Sequence, residues 1–192
     1  MKTMKFLLSD YLIKNYESVF NRDVEKIIKE YDCDILDSCE LAVNIYRIQN
    51  LIYKTDKEHN EIQKILSFIQ RSLCGCEIYY SSQIGKNFLL VHGLGVVIGS
   101  GVRIGNNVTV YQNVTLGTRY DTSKEKCTVG NDVIIYAGAK ILGNIKISNN
   151  SVIGANSVII TNVGEGEIFA GVPGKKIGSV GSEKYKLPAG VK

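Results

Sequence analysis

The sequence predicts an α+β protein in which an α-helical N-terminal segment precedes a parallel β-helix of six-residue repeats. Apolar residues recur every three or four positions up to residue 73, and every six positions between residues 77 and 174. Gly is common, with 19 residues, and Trp is absent. That composition suits many tight corners and thin stacked layers better than one bulky aromatic core. We therefore expect a helical domain over 1–73, a β-helix over 77–174 and a C-terminal tail over 175–192.

The helical half shows the period of amphipathic helices. Its clearest apolar stripe consists of Leu41, Ile45, Ile48, Leu51 and Ile52. The four residues 37–40, Asp-Ser-Cys-Glu, precede that stripe in the pattern of a capping box, and residues 55–58, Thr-Asp-Lys-Glu, precede the next stripe in the same way. These patterns predict four helices, near 9–20, 23–32, 38–54 and 57–73.

The second half changes to a period of six. Three runs of aliphatic residues keep that step, and Gly follows many of them. The runs are Ile78, Ile84 and Leu90; Ile98, Ile104, Val110 and Leu116; and Val129, Ile135, Ile141, Ile147, Ile153 and Ile159. Each six-residue unit predicts a short strand and a corner, so three units form a triangular coil and about five coils stack. A β-sandwich is excluded because its strands alternate with period two and turn every eight to twelve residues.

The repeat is interrupted twice. Leu90 to Ile98 is a step of eight, and Leu116 to Val129 is a step of thirteen. The second interruption contains the polar stretch 117–128, which cannot enter the stack. We expect it to protrude as a loop, where specificity residues commonly lie.

Charge and cysteine content exclude several classes of function. The net charge of +4 is scattered, with no Lys/Arg block of the kind that binds nucleic acid. No segment approaches the length of a membrane span, and the N-terminus lacks a secretory signal, so we expect a cytoplasmic protein. The five Cys residues contain no CxxC pair and predict reduced thiols.

Three segments carry a resemblance to a known family. Residues 88–117 (FLLVHGLGVVIGSGVRIGNNVTVYQNVTLG), 133–163 and 169–178 (FAGVPGKKIG) resemble the serine acetyltransferase branch of the hexapeptide-repeat acyltransferases. With the upstream AVNIYR at 42–47, the likeness covers about residues 40–178. It implies a left-handed β-helix, a homotrimer or a dimer of trimers, and acetyl-CoA in the groove between neighbouring β-helices. It also implies a catalytic His at position 92.

His92 is one of two His residues and lies in the first interruption, beside Gly93. An imidazole titrates near neutrality, so it can accept the proton of an acceptor hydroxyl that attacks a thioester. The family places an acidic residue at position 77, which makes Glu77 the candidate partner that orients the ring. The alternatives are a structural loop histidine and a surface carboxylate. Two His residues cannot supply the three zinc ligands of a β-helical carbonic anhydrase, so no metal is expected.

By the same resemblance, small residues line the groove for the pantetheine arm, namely Gly117, Ala137, Gly138 and Ala155. Cations at its outer end would bind the phosphates, and the candidates are Lys140, Lys175 and Lys176. Ordinary corner packing and ordinary solvated lysines are the alternatives.

Two family signatures that bear on the acceptor are changed in this chain. Serine-specific members carry Asp immediately before the catalytic His, where this chain has Val91, and Arg-His-Pro where it has residues 125–127, Glu-Lys-Cys. Both changes remove groups that recognise an amino acid. The loop end KCTVGND resembles relatives that O-acetylate sugars in capsule or exopolysaccharide pathways. We therefore expect a sugar hydroxyl of a surface-polysaccharide precursor as acceptor, with Arg119, Tyr120 and Asp121 of the loop as contacts. Serine O-acetylation and a non-catalytic scaffold are the alternatives.

Overall fold

A computed structural model describes residues 36–55, 60–119 and 126–181. Two helices lie in these ranges, α1 (Ser38–Thr55) and α2 (Asn60–Cys74). They correspond to the helices predicted over 38–54 and 57–73, whereas those predicted near 9–20 and 23–32 lie outside the described residues. Neither α1 nor α2 combines the length and the apolar character needed to cross a bilayer.

The start of α1 confirms one predicted cap. The Asp37 carboxylate accepts hydrogen bonds from the backbone N–H groups of Cys39, at 2.8 Å, and Glu40, at 3.2 Å, which are the N-terminal donors that a helix leaves unpaired. The cap predicted at Thr55 is wrong. Thr55 is the last residue of α1, and its hydroxyl donates to the Leu51 carbonyl at 3.0 Å.

The second half is a left-handed parallel β-helix, as predicted. Successive strands belong to three different sheets, so every third strand is paired with parallel register. Sheet A contains β1 (Glu77–Ile78), β4 (Val97–Ile98), β7 (Thr115–Gly117), β10 (Lys140–Leu142) and β13 (Val158–Ile159). Sheet B contains β2 (Gln83–Ile84), β5 (Arg103–Ile104), β8 (Thr128–Val129) and β11 (Lys146–Ile147). Sheet C contains β3 (Leu89–Val91), β6 (Thr109–Tyr111), β9 (Ile134–Ile135), β12 (Val152–Ile153), β14 (Glu167–Gly171) and β15 (Gly174–Ser179).

The six-step residues form the core of the coil. In sheet A, Ile78, Ile98, Leu116, Ile141 and Ile159 stack in register, each no more than 1% exposed. Equivalent columns run through the other two sheets. One coil cannot bury its own inward face, so burial of these columns against each other stabilises the stack.

Hydrogen bonds join α1 to the first coil. The Tyr46 hydroxyl donates to the Ser82 carbonyl at 3.0 Å and accepts from the Ile84 N–H at 3.1 Å. Arg47 donates to the carbonyls of Ile84 and Gly85. The apolar residues of both helices and of the coils form one continuous core. This packing fixes the start of α1 against the corner that carries His92.

The upper end of the stack is closed by a hairpin. Strand β15 pairs antiparallel with β14, so the first residues of the predicted tail 175–192 belong to sheet C. Residues 120–125, most of the loop predicted over 117–128, lie outside the described residues.

Candidate active site

The edge between sheets C and A contains a column of corners, which we call the His92 corner, formed by residues 92–95, 112–113, 137–138 and 155–156. Backbone hydrogen bonds align its levels. The Asn113 N–H donates to the Leu94 carbonyl at 2.8 Å, and the Gly138 N–H donates to the Gln112 carbonyl at 2.9 Å. The next level repeats the pattern between the Asn156 N–H and the Ala137 carbonyl, at 2.8 Å. Leu94, Gln112, Ala137 and Ala155 are therefore equivalent positions.

His92 and Gly93 have no equivalents at the higher levels of this corner. They are the two extra residues of the eight-residue step, and they widen the turn of the first coil. His92 has a φ of 54°, and the other described non-glycine residues with positive φ are all Asn or Asp. A side chain other than Asx held in this region of φ is a common feature of functional sites. The His92 side chain is exposed at this widened turn.

An open cavity of about 690 Å³ lies in front of the widened turn. The first residues of α1 form one wall, and the first interruption of the repeat forms the other. The lining residues are Leu36, Asp37, Ser38, Cys39, Leu90, Val91, His92 and Leu94. Gly93 permits this close approach, because a Cβ there would lie 2.7 Å from Leu90 Cδ2 and 3.3 Å from Cys39 Sγ.

Glu77, the predicted partner of His92, has another contact in this chain. Its carboxylate accepts a hydrogen bond from Arg71 of α2 at 2.8 Å, and both side chains are partly exposed. Across the three described ranges, the imidazole of His92 takes part in no hydrogen bond. Glu77 starts β1, one backbone pairing away from the His92 corner, because its N–H donates to the Val96 carbonyl at 2.8 Å. Its orienting role stays a prediction.

The predicted groove residues do not all lie on one edge. Ala137, Gly138 and Ala155 are on the His92 corner. Gly117 ends β7 at the opposite edge of sheet A, five residues along the chain from Gln112, or about 16 Å at the extended-chain rise. A Cβ on Gly117 would meet no atom within 4 Å, so this position opens onto free space.

The predicted phosphate-binding lysines are also dispersed. Lys140 donates from its Nζ to the Asn113 carbonyl at 2.5 Å and to Thr115 Oγ1 at 3.1 Å. Lys176 forms an ion pair of 2.8 Å with Glu167, and its hydrogen bond holds the pKa of that carboxyl below its usual value. Lys175 is exposed on β15, five strands above β3 in sheet C, which is about 24 Å at the usual strand spacing.

The predicted acceptor contacts fall into two groups. Val91 lines the cavity beside His92. Arg119 is exposed at the start of the long interruption, on the other edge of sheet A, and Tyr120 and Asp121 lie outside the described residues. Within one chain, the structure therefore separates Val91 from Arg119.

Two residues of the cavity wall were missed by the sequence analysis. Asp37 was interpreted only as a helix cap, and Cys39 only as a reduced thiol. The available signal for Asp37 was that a helix cap needs only one oxygen of its carboxylate, so the second oxygen is left for another contact. Cys39 lies close to Cys74 and Cys76. Burial, and then the proximity of those thiols, raises the pKa of Cys76 to about 12, so this thiol stays protonated near neutral pH.

The described part of the chain contains no cluster of three or more His, Cys, Asp or Glu side chains able to hold a metal ion. An exposed imidazole and a carboxylate both line this cavity. Such a pair can accept a proton and bind a polar or cationic group.

Comparisons with known proteins agree with this architecture. Residues 126–161 match the family model "Bacterial transferase hexapeptide (six repeats)". The chain is 43% identical over 134 residues to a serine acetyltransferase of Staphylococcus xylosus, an alignment that covers 69% of this chain and 61% of the relative.

Two solved structures are similar in fold. Soybean serine acetyltransferase complexed with serine superposes with a TM-score of 0.68 and 32% identity, over 72% of this chain and 56% of the soybean chain. A serine acetyltransferase in complex with CoA gives a TM-score of 0.66 and 32% identity, over 71% and 55%. The chain thus spans between half and two thirds of the length of these relatives.

Proposed function

The chain belongs to the hexapeptide-repeat transferases, and on that premise we propose that it transfers the acetyl group of acetyl-CoA to an acceptor hydroxyl, with His92 as the general base. The observation that carries the proposal is the widened turn. His92, whose backbone has a positive φ, presents its imidazole to a cavity of about 690 Å³ at this turn. The corner that carries His92 also contains the small residues Ala137, Gly138 and Ala155. A cytoplasmic location stays a prediction.

The proposed reaction proceeds in a ternary complex. One ring nitrogen of His92 accepts the proton of the acceptor hydroxyl while the oxygen attacks the acetyl carbonyl carbon. The C–O bond forms, the C–S bond breaks, and the departing CoA thiolate takes the proton back from the imidazolium. General-base help of this kind is worth about 10²–10⁴ in rate.

Orientation of the ring is the proposed role of Glu77. A carboxylate on the second ring nitrogen would hold one tautomer and stabilise the imidazolium. The ion pair with Arg71 is compatible with this role, because both side chains are partly exposed and such a pair is weak enough to be exchanged.

The proposed donor groove requires two chains. Gly117 and Ala137 lie at opposite edges of sheet A in one chain, so they can face one pantetheine arm only if neighbouring chains contribute one edge each. This separation supports the homotrimer that the resemblance implies. The open space at Gly117 and the exposed position of Ala155 suit the close approach of an amide-bearing arm.

For the acceptor we propose the hydroxyl of serine, which reverses the order favoured by the sequence analysis. The relatives are named as serine acetyltransferases, and one structural neighbour is a serine complex. Asp37 supports this choice, because it brings a carboxylate to the cavity where Val91 offers none. That carboxylate would bind the serine ammonium group. A sugar hydroxyl remains the second candidate, favoured by Val91 itself.

An acceptor panel tests the proposal. The full chain is incubated with acetyl-CoA and with L-serine, glucose, galactose or N-acetylglucosamine, and released thiol is measured. We expect thiol release that depends on serine. We also expect D37N, which keeps a good helix cap, to raise KM for serine about tenfold without changing KM for acetyl-CoA. E40Q, in the same helical turn, is the matched control.

The outcomes separate the candidates. Release with a sugar alone would replace serine by that sugar and make Val91 the decisive substitution. Absence of acceptor-dependent release with every compound, from a folded protein, would favour the scaffold. An unchanged KM for serine in D37N would remove Asp37 from the acceptor site.

A further inference from the structure

A cavity of about 750 Å³ lies along the edge between sheets B and C, which we call the B–C corner. Its described lining combines an apolar column on the outer face of sheet C with a polar column at the corner itself. The lining residues are Asn87, Phe88, Leu89, Asn107, Thr109, Asp132, Ile134, Asn150, Val152 and Val180. The proposed acetyl-CoA groove uses the two edges of sheet A, so this third corner of the coil is separate from it.

The outer face of sheet C carries a column of apolar side chains. These residues point outward because the residue that follows each of them points into the coil. Paired in register on neighbouring strands, they are Leu89, Thr109, Ile134, Val152 and Ile168. Apart from Leu89, which is 49% exposed, each is no more than 8% exposed. The two isoleucines and the valine belong to an apolar cluster that is separate from the core of the coil.

Sheet B has the opposite character at the same outward positions. Its column is polar and consists of Gln83, Arg103, Thr128 and Lys146. A polar column of this kind suits a face that is in contact with water, whereas a contiguous apolar column on an outer face is typical of an interaction surface. The contrast indicates that the outer face of sheet C binds another segment of protein.

The polar column supplies the charge of the cavity. Asn87 donates from its Nδ2 to Asn107 Oδ1 at 2.9 Å, and Asn107 donates in turn to Asp132 Oδ1 at 2.9 Å. Among the described residues that line the cavity, Asp132 is the one with a charged side chain. A segment that is complementary to this surface therefore combines apolar side chains with positive charge.

The hairpin at the upper end directs the chain towards this cavity. Strand β15 pairs antiparallel with β14, so Ser179 lies opposite Glu167, at the end of sheet C that adjoins the B–C corner. Val180 then donates its N–H to the Gly166 carbonyl at 2.8 Å, and Val180 itself lines the cavity. Gly181, with a φ of 85°, is the last described residue. The chain therefore continues from a point beside the cavity.

The sequence that follows has the required chemistry and length. Residues 182–192 read SEKYKLPAGVK, with Tyr185, Leu187 and Val191 as large apolar residues and more Lys than Glu. Four strand spacings separate β14 from β3, which is about 19 Å. A fully extended chain of this length reaches up to about 36 Å. The segment is thus long enough to follow the whole apolar column.

We propose that residues 182–192 bind in this cavity of their own chain, with Tyr185 and Leu187 against the apolar column and a lysine beside Asp132. Bound in this way, the segment joins the upper hairpin to the first coil across the outer face of sheet C. The proposal is independent of acetyl transfer, because it concerns a different corner of the coil and is measured without acetyl-CoA.

Photo-cross-linking in the full chain tests this placement. Leu89, whose exposure leaves room for a larger side chain, is replaced by benzoylphenylalanine, and the cross-linked peptides are identified by mass spectrometry. We expect a product with the mass of a single chain that joins position 89 to a peptide from residues 182–192. The matched control carries the same probe at Gln83, the exposed outward residue of β2, and should not capture this segment.

A substitution in the segment itself leaves the coil intact. In the chain with the probe at position 89, L187D should lower the cross-linked fraction several-fold, because the burial of one Leu side chain is lost and a negative charge is brought towards Asp132. S182D adds the same charge at a polar residue of the segment and should leave the fraction unchanged. Circular dichroism confirms that each variant is folded.

Other occupants of the face would give different products. A cross-link from position 89 to residues 1–35, or a product with the mass of two chains, would assign the face to that occupant and overturn the proposal. Absence of any cross-link to residues 182–192, or an unchanged cross-linked fraction in L187D, would also overturn it. Thiol release from acetyl-CoA by the same preparation depends on the His92 corner, so the failure of one proposal is distinguishable from the failure of the other.

Discussion

The two interruptions of the six-residue repeat differ in length and in how they are packed. The first adds two residues, His92 and Gly93, to a corner of the first coil, and α1 packs against them. The second follows Leu116, begins at Gly117, and re-enters the coil at Cys127, which is fully buried. Both occur at edges of sheet A, but at opposite edges.

The difference shows two ways in which a regular scaffold can form a site. A two-residue insertion cannot leave the stack, so its backbone is fixed by the corner hydrogen bonds above it and by the helix that packs on Gly93. A longer insertion leaves the coil and contributes through its flanking residues, of which Lys126 lines a cavity between sheets A and B. Rigid positioning suits proton transfer, and a peripheral polar surface suits ligand selection.

The largest effect should come from His92, in the short interruption. H92Q keeps a polar side chain of similar size but cannot take the proton of the acceptor hydroxyl. We expect kcat for acetyl transfer to fall about 10²–10⁴-fold, measured as thiol release, with little change in KM for acetyl-CoA. Q112A, at an ordinary corner one level higher, should keep the wild-type kcat. Wild-type turnover in folded H92Q would exclude the mechanism.

The next effect concerns the packing of that interruption. G93A introduces a Cβ that would lie 2.7 Å from Leu90 Cδ2 and 3.3 Å from Cys39 Sγ. Such overpacking costs about 1–3 kcal/mol, and we expect this loss in the free energy of unfolding from urea titration. G117A adds the same methyl group at the edge of the long interruption, where no atom lies within 4 Å, and should leave stability unchanged. Equal stabilities would show that α1 does not pack tightly on the short interruption.

Much of this fold was predictable from local patterns. The six-step aliphatics predicted the inward columns, and the acidic residue at position 37 predicted the start of α1. The eight-residue step predicted that His92 lies in an interruption of the repeat. Each of these depends on residues close together in sequence, whose geometry follows from short-range sterics and hydrogen bonding.

The arrangement of the candidate site was less predictable because it depends on contacts between distant segments. Asp37 and His92 line the same cavity because Tyr46 and Arg47 fix α1 on the first coil. The separation of Gly117 from Ala137 depends on where each lies along a coil, which a set of small residues does not reveal. The handedness of the coil came from family resemblance and not from the period.

The edges of sheet A also predict a smaller, kinetic effect. If Gly117 of one chain and Ala137 of a neighbour line a common groove, G117A and A137V should each raise KM for acetyl-CoA about fivefold, or about 1 kcal/mol, without a change in KM for the acceptor. The measurement is initial-rate kinetics with both substrates varied. An effect from A137V alone would confine the donor to the His92 corner and remove the need for a second chain.

The last effect is absent near neutral pH and concerns the buried thiol beside each interruption. Burial raises the pKa of Cys76, before β1, to about 12 and that of Cys127, before β8, to about 11, against an ordinary value of 9.0. Below pH 9 both thiols are protonated whether the chain is folded or unfolded. Above it the unfolded chain loses these protons first, so stability falls as pH rises from 9 towards 11, by up to about 1.4 kcal/mol per pH unit for each thiol.

C76A and C127A should each reduce this slope in urea titrations between pH 8 and 10.5, whereas V133A, which also shortens a buried side chain, should lower stability without changing the slope. A slope unchanged in C127A would mean that the thiol is ionised in the folded protein, and so that the long interruption admits water where it re-enters the coil.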